Sequence, residues 1–206
     1  MAKAPVAGAI KTRLAHQAGV SAATRFARHC TAALIARVAF DPRWQTTIWA
    51  TPDAWIGSRH WPRGIARAAQ GGGDLGHRMQ RMFASLPRGP VVIVGTDIPG
   101  ITAAHIEAAF ALLGRNDVVF GPAADGGYWL VGARRRPRVP QPFAGVRWSS
   151  EHALADTLAN LAGCSVGFVA TLADVDDAAA FAQSAANLGR RVPWTYLQRE
   201  RMPRSK

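Results

Sequence analysis

The run Val91-Val92-Ile93-Val94 constrains the fold more than any other stretch of this chain. Four consecutive β-branched residues have no polar alternation, so the strand they form is buried on both faces. That is the position of a central strand in a parallel sheet covered by helices. The stretches around it carry helix periodicity instead. Asp74 predicts a helix cap, and Leu75, Met79, Met82, Phe83 and Leu86 share one apolar face until Pro87 and Pro90 break the chain. Beyond the run, Thr102 predicts the next cap, with Ile106, Phe110 and Leu113 turned inward.

The same alternation extends along the chain. Ser21 predicts a cap for a helix reaching Val38, with Phe26, Cys30, Leu34 and Val38 on one stripe. Strands are expected at 46–51, 117–121, 128–133 and 164–170. Ser149 or Ser150 predicts the start of a helix bearing Leu154, Leu158 and Leu161, and Asp176 or Asp177 opens a last one through Phe181 to Leu188. Residues 134–142, rich in proline and arginine, read as a surface loop. Strands and helices in alternation predict an α/β three-layer sandwich around a mostly parallel sheet. At 206 residues this is one domain, expected over 1–188, with a basic tail at 189–206.

Composition narrows the class. A chain 49% hydrophobic and 18% charged holds enough apolar material for a core. It has no run of the ~20 apolar residues that a membrane-spanning helix needs. The two cysteines, Cys30 and Cys164, make neither a CxxC motif nor a disulfide framework, and the opening residues lack the pattern of a secretory signal. A cytoplasmic location is expected. The formal net charge of +12 favours anionic partners. Only Lys3, Lys11 and Lys206 among the cations are lysines, and the arginines are dispersed, the tightest group being Arg134, Arg135, Arg136 and Arg138. Spacing for a zinc finger or a basic zipper is absent, so nucleic-acid binding by a non-catalytic basic module is the remote alternative.

Several segments could carry chemistry. Residues 3–13 hold Lys3, Gly8, Lys11 and Arg13 in a proline- and glycine-containing loop before a helical stretch. Glycine lets the backbone approach an anion and the cations neutralise it, although the Walker A spacing is missing. Asp97 follows the apolar run directly, where α/β folds place ligand groups, and a carboxylate there suits Mg²⁺ (or Mn²⁺) bridging to phosphates. Asp125, Gly126 and Gly127 could bind a second substrate or metal, or form a plain Asp-Gly hairpin turn. Gln70, Gly71, Asp74 and Gly76 open a helix and could receive a base or sugar, with Asp74 equally suited to capping. Asp174, Asp176 and Asp177 precede a helix, where the dipole alone explains acids. The six histidines form no ligand-spaced pair, and no GxSxG element marks a hydrolase.

In order, KAPVAGAIKTRLA (3–15), QGGGDLGHRM (70–79), VVIVGTDIPGI (91–101), DVVFGPAADGGYWLVG (117–132), GVRWSSEHAL (145–154) and DVDD (174–177) resemble the DUF2064 family. That family is also described as rSAM/selenodomain-associated transferase 1, a glycosyltransferase-like group linked to arsenosugar biosynthesis. It is similar to the 2-phospho-lactate and molybdenum-cofactor guanylyltransferases. The resemblance implies the nucleotide-diphospho-sugar transferase (GT-A) fold. It further implies phosphate binding by Lys3, Gly8, Lys11 and Arg13, with Lys11, Arg13 and Asp97 catalytic. Asp97 and Asp176 would be metal ligands, Gln70, Gly71, Asp74 and Gly76 would contact the nucleotide, and Asp125, Gly126 and Gly127 the acceptor. In that family a hydrophobic strand precedes the signature loop, so a first strand upstream of Met1 is expected. The expected function is nucleotide- and Mg²⁺-dependent transfer, nucleotidyl in type on a small phosphorylated acceptor, with glycosyl transfer from a nucleotide-sugar as the alternative.

Overall fold

The computed structural model describes residues 1–6, 15–17 and 19–173. Strands β1 (Ala2–Lys3), β2 (Thr47–Thr51) and β3 (Ala66–Ala69) form a parallel sheet in the order β1-β2-β3. Strands β4 (Val91–Val94), β5 (Val118–Pro122), β6 (Tyr128–Ala133) and β7 (Val166–Phe168) form a second in the order β4-β6-β5-β7. Strand β6 is antiparallel to both neighbours, and β5 and β7 are parallel. The Met1 amine donates to the Val94 carbonyl at 2.7 Å and joins β1 to β4. The strands therefore run β3-β2-β1-β4-β6-β5-β7 across the molecule. Trp44, leading into β2, stacks on Phe110 near the end of the helix leading into β5, so the amino ends of the parallel strands share one edge.

Helices cover both faces. Helices α1 (Val20–Val38) and α3 (Ala103–Leu113) pack on one, where Leu34, Val38, Ile106 and Leu113 meet Val119 and Leu130. Helix α2 (Leu75–Ser85) and the neighbourhood of α4 (Ala153–Ala159) take the other, where Met79, Met82, Phe83 and Leu161 meet Ile93, Val118, Phe120 and Val131. Along β5 the burial divides as a pleat requires: Val118 and Phe120 face α2, and Val119 faces α3. A register shift at Gly121/Pro122 leaves Trp129 without a partner on β5, so Trp129 and Leu130 both face the α1/α3 layer. This is the α/β three-layer architecture with a mostly parallel sheet that the alternation predicts.

Local signals agree unevenly. Asp74 caps α2 and accepts from the His77 amide at 2.8 Å, and Thr102 caps α3 in a box completed by His105. Helix α1 starts at Val20 after Gly19 rather than after Ser21, because Gly19 at φ 86 makes the turn that a side-chain cap would otherwise stabilise. Helix α4 has His152 at its N-cap position with no side-chain cap bond, while the Ser150 hydroxyl donates to Arg147 O and accepts from the His152 amide just ahead of the helix. Strand β3, Ala-Arg-Ala-Ala, carries no β-propensity signal and forms through its pairing with β2. The acidic opening of the last expected helix and the basic tail lie outside the described residues.

Candidate functional site at the carboxyl edge

Three loops emerge from the carboxyl edge of the sheet, and each is shaped by its own anchors. The first leaves β3 as Gln70-Gly71-Gly72-Gly73 and enters α2 at Asp74. Gln70 is buried, and its side-chain amide donates to Ala2 O at 3.1 Å and Trp49 O at 2.8 Å. Both amide hydrogens thus tie β1 to β2, which makes Gln70 a brace under the loop. Gly71 has φ 72 and its amide donates to the Asp53 carboxylate at 3.2 Å. Two arginines of α2 hold the loop from behind: Arg81 donates to Gln70 O and to Gly72 O, and Arg78 to Gly73 O at 3.0 Å. With its carbonyls turned toward these guanidiniums, the loop is a rigid platform.

Asp74 is committed largely to its own helix. Its Oδ1 accepts from the His77 amide and lies 2.7 Å from His77 Nδ1, and these bonds hold its carboxyl below the ordinary carboxylate range. Gly76 is fixed by packing, since a Cβ there would lie 2.8 Å from Phe143 Cβ and 2.9 Å from the Trp148 ring. Trp148 in turn meets Tyr128 edge-on at 6.4 Å. This aromatic pair links the start of α2 to the hairpin between β5 and β6.

That hairpin carries Asp125, Gly126 and Gly127. Asp125 is exposed and its Oδ1 accepts from the Gly127 amide at 2.9 Å, an Asx turn. Gly126 has φ 84, and a Cβ there would overlap the Glu151 carbonyl. Its own carbonyl accepts from the Leu154 amide at 3.1 Å. Glycine is therefore required for α4 to dock on the turn. Burial raises the Tyr128 hydroxyl well above its usual range, and the group remains protonated, 3.4 Å from the Thr157 hydroxyl.

Between these loops lies the end of β4. Gly95 donates to Trp129 O at 3.2 Å, continuing the pairing with β6, and the chain then leaves the sheet. Ile98 and Ile101, both buried, pin the turn, so Asp97 stands exposed on a fixed backbone. Burial lowers the Met1 amine to about 6, against the opposing charge of Asp97. Lys3, exposed at the end of β1, reaches the same edge. Lys3, Gln70, Gly71, Asp74, Asp97, Asp125, Gly126 and Gly127 thus gather along one edge, and Gly76 lies just behind it under Trp148. Gly8, Lys11, Arg13, Asp174 and Asp176 lie outside the described residues.

Sequence reasoning missed the supporting cast: Asp53, Arg78, Arg81 and Trp148. The first three are ordinary surface types whose roles exist only through loops folded against them. Trp148 did stand in a recognisable segment, 145–154, but nothing in the spacing assigned it a partner. Among the described residues no group of three or more His, Cys, Asp or Glu is placed to hold a metal ion. The donors at this edge are carboxylate oxygens, the type that suits a hard cation completing its shell with water and substrate phosphates. Among the described residues no helix is long and apolar enough to cross a membrane.

Comparison with known proteins agrees with this fold. The model of the DUF2064 family, described as an uncharacterized protein conserved in bacteria, matches residues 11–150. A crystal structure described as a "putative nucleotide-diphospho-sugar transferase" from Desulfovibrio desulfuricans G20 superposes with a TM-score of 0.75 at 27% identity, covering 91% of this chain and 94% of that one. A homologue of Mycobacterium tuberculosis Rv0371c from Mycobacterium sp. strain JC1 gives a TM-score of 0.49 at 16% identity, over 79% of this chain and 83% of that one. No curated protein sequence matches the chain.

Proposed function

From the premise that this chain belongs to the DUF2064 family, we propose that it is a transferase taking a nucleotide donor at the carboxyl edge of its sheet. The observation that carries the reading is the convergence there of Asp97, the braced loop 70–74 and the hairpin 125–127 from three separate strand ends. The similarity to the structure from Desulfovibrio desulfuricans G20 supports a nucleotide-type substrate on the same fold.

We assign nucleotidyl transfer as the chemistry, on the ground that Asp97 in Thr96-Asp97-Ile98-Pro99 is a single acid rather than a DxD pair. An acceptor oxygen attacks the α-phosphorus of a nucleoside triphosphate, and the bond to the bridging oxygen breaks, with pyrophosphate leaving with the electron pair. Asp97 would hold Mg²⁺ (or Mn²⁺), which when bound supplies charge neutralisation at the phosphates. Lys3, Gly8, Lys11 and Arg13 would cradle the leaving phosphates, and Asp125 with the amides of its turn would orient a small acceptor. Where the acceptor is itself a phosphate, no general base is required. The neighbour's description favours a second reading, glycosyl transfer from a nucleotide-sugar, in which the same groups hold the departing nucleoside diphosphate.

A thermal-shift comparison of nucleoside triphosphates and UDP- or GDP-sugars, each with and without Mg²⁺, separates the two. Stabilisation by triphosphates with Mg²⁺, abolished in Asp97→Asn, supports nucleotidyl transfer. Stabilisation by nucleotide-sugars alone transfers the assignment to glycosyl chemistry, and no response from either class defeats both.

A further inference from the structure

At the opposite edge of the sheet lies an open cleft of about 980 Å³ that the proposed transfer reaction does not use. Its walls come from two segments, the connection after α2 and the chain following β6. Arg88 stands on the first, and Arg134, Arg135 and Arg136 on the second, with Leu86 and Val139 as apolar lining. A volume of this size accommodates a small ligand of nucleotide dimensions.

The three consecutive arginines do different work. Arg135 is buried, and its guanidinium donates to Phe83 O, Leu86 O, Pro87 O and Gly89 O. It thereby anchors the cleft's second wall to the end of α2 and directs its neighbours outward. Arg134 bridges to Asp117 at 2.7 Å through Nη2, while its Nε is buried without a partner. Arg88 and Arg136 are exposed, and among the described residues neither makes an ion pair. Asp117 is the acid that faces this group, and it is already bonded to Arg134 and Ser165. The cleft therefore presents guanidinium donors in excess of its acids, in a fixed concave frame.

We propose that this amino-edge cleft is a second anion site, separate from the transfer site, which binds a small molecule bearing two or more phosphate groups. Guanidinium forks match phosphate oxygens in pairs, and convergence from two walls favours more than one phosphate. A small ligand fits better than a nucleic acid strand, because Phe83 is fully buried and the lining offers no exposed ring on which bases could stack.

The test is calorimetric titration of the full chain with inorganic tripolyphosphate, in parallel with Arg88→Gln/Arg136→Gln and Asp97→Asn variants. Both arginines are exposed, and a thermal melt of the double variant checks that the fold is kept. Binding that weakens about tenfold or more in the double variant, yet persists in Asp97→Asn, supports the site. Binding unchanged in the double variant overturns it, because the phosphates then sit elsewhere. Anisotropy of a labelled single-stranded oligonucleotide adds one more arm. If the arginine pair is needed for oligonucleotide binding and not for tripolyphosphate, the cleft is a nucleic-acid surface and the proposal fails.

Discussion

Residue identity at the candidate site divides into groups that face outward and groups that hold the frame. Gln70 illustrates the second kind, since its donors close the gap between Ala2 O and Trp49 O beneath the glycine loop. Gln70→Leu removes two buried hydrogen bonds that these carbonyls accept in addition to the β1–β2 ladder, and is expected to cost about 2 kcal/mol of unfolding free energy, read from the urea midpoint. Were Gln70 chiefly a ligand contact, the variant would keep its midpoint and lose donor affinity instead. Gly76 and Gly126 belong with it: each is glycine because another part of the fold, the Trp148 segment or the Glu151 backbone, occupies the space of a side chain. Asp97 and Asp125 are of the first kind, held on fixed turns and exposed.

At the scale of elements, the end of α2 depends on a single distant side chain. Arg135 replaces the usual glycine cap by donating to carbonyls at the helix end and in the turn after it. Arg135→Met preserves length and apolar bulk but leaves those carbonyls without a donor. The expected loss is about 3 kcal/mol, seen as a melting temperature lower by roughly 10 °C. A variant melting within about 2 °C of the parent would show that water satisfies these carbonyls equally well. The sequence suggested a surface loop over 134–142, and the loop assignment is correct for its exposed members. It could not single out Arg135, because its burial is set by where α2 ends, 48 or more residues earlier in the chain.

Across the whole molecule, arginine–carboxylate ties fasten loops to the sheet, to a helix or within a single turn. Arg147 holds Asp156, Arg134 and Ser165 hold Asp117, and Arg43 holds Asp41. Hydrogen bonds from these partners depress all three carboxyls, Asp41 to about 2. A carboxyl whose folded value lies below its unfolded one, about 3.9, binds fewer protons when native. Its contribution is therefore complete above about pH 5 and declines as pH falls toward the folded value. From these three carboxyls, urea midpoints are expected to fall steadily between about pH 5 and pH 3. Asp156→Asn should lower the neutral-pH midpoint and make the acid decline shallower. An unchanged slope would show that the Arg147 tie contributes nothing, as many exposed ion pairs do.

Much of this protein is decided locally and is legible in the chain. The apolar Val91–Val94 run dictates a strand covered on both faces, with Ile93 buried and its three valine neighbours half-buried, the helix periods around it dictate layers on either side, and Asp74 and Thr102 cap the helices they were expected to cap. These are short-range preferences that need no knowledge of the partner. What the tertiary structure alone decided is everything that depends on distant segments meeting. Strand β3 exists because β2 pairs with it, Trp129 turns to the α1/α3 layer because of a register shift, and Gln70 and Arg135 are buried by elements far away in sequence. The exposed acids of the candidate site could be proposed from position, because a loop after a parallel strand must open at the carboxyl edge. Their supports could not, because a side chain that braces a loop is chosen by the space the fold leaves around it.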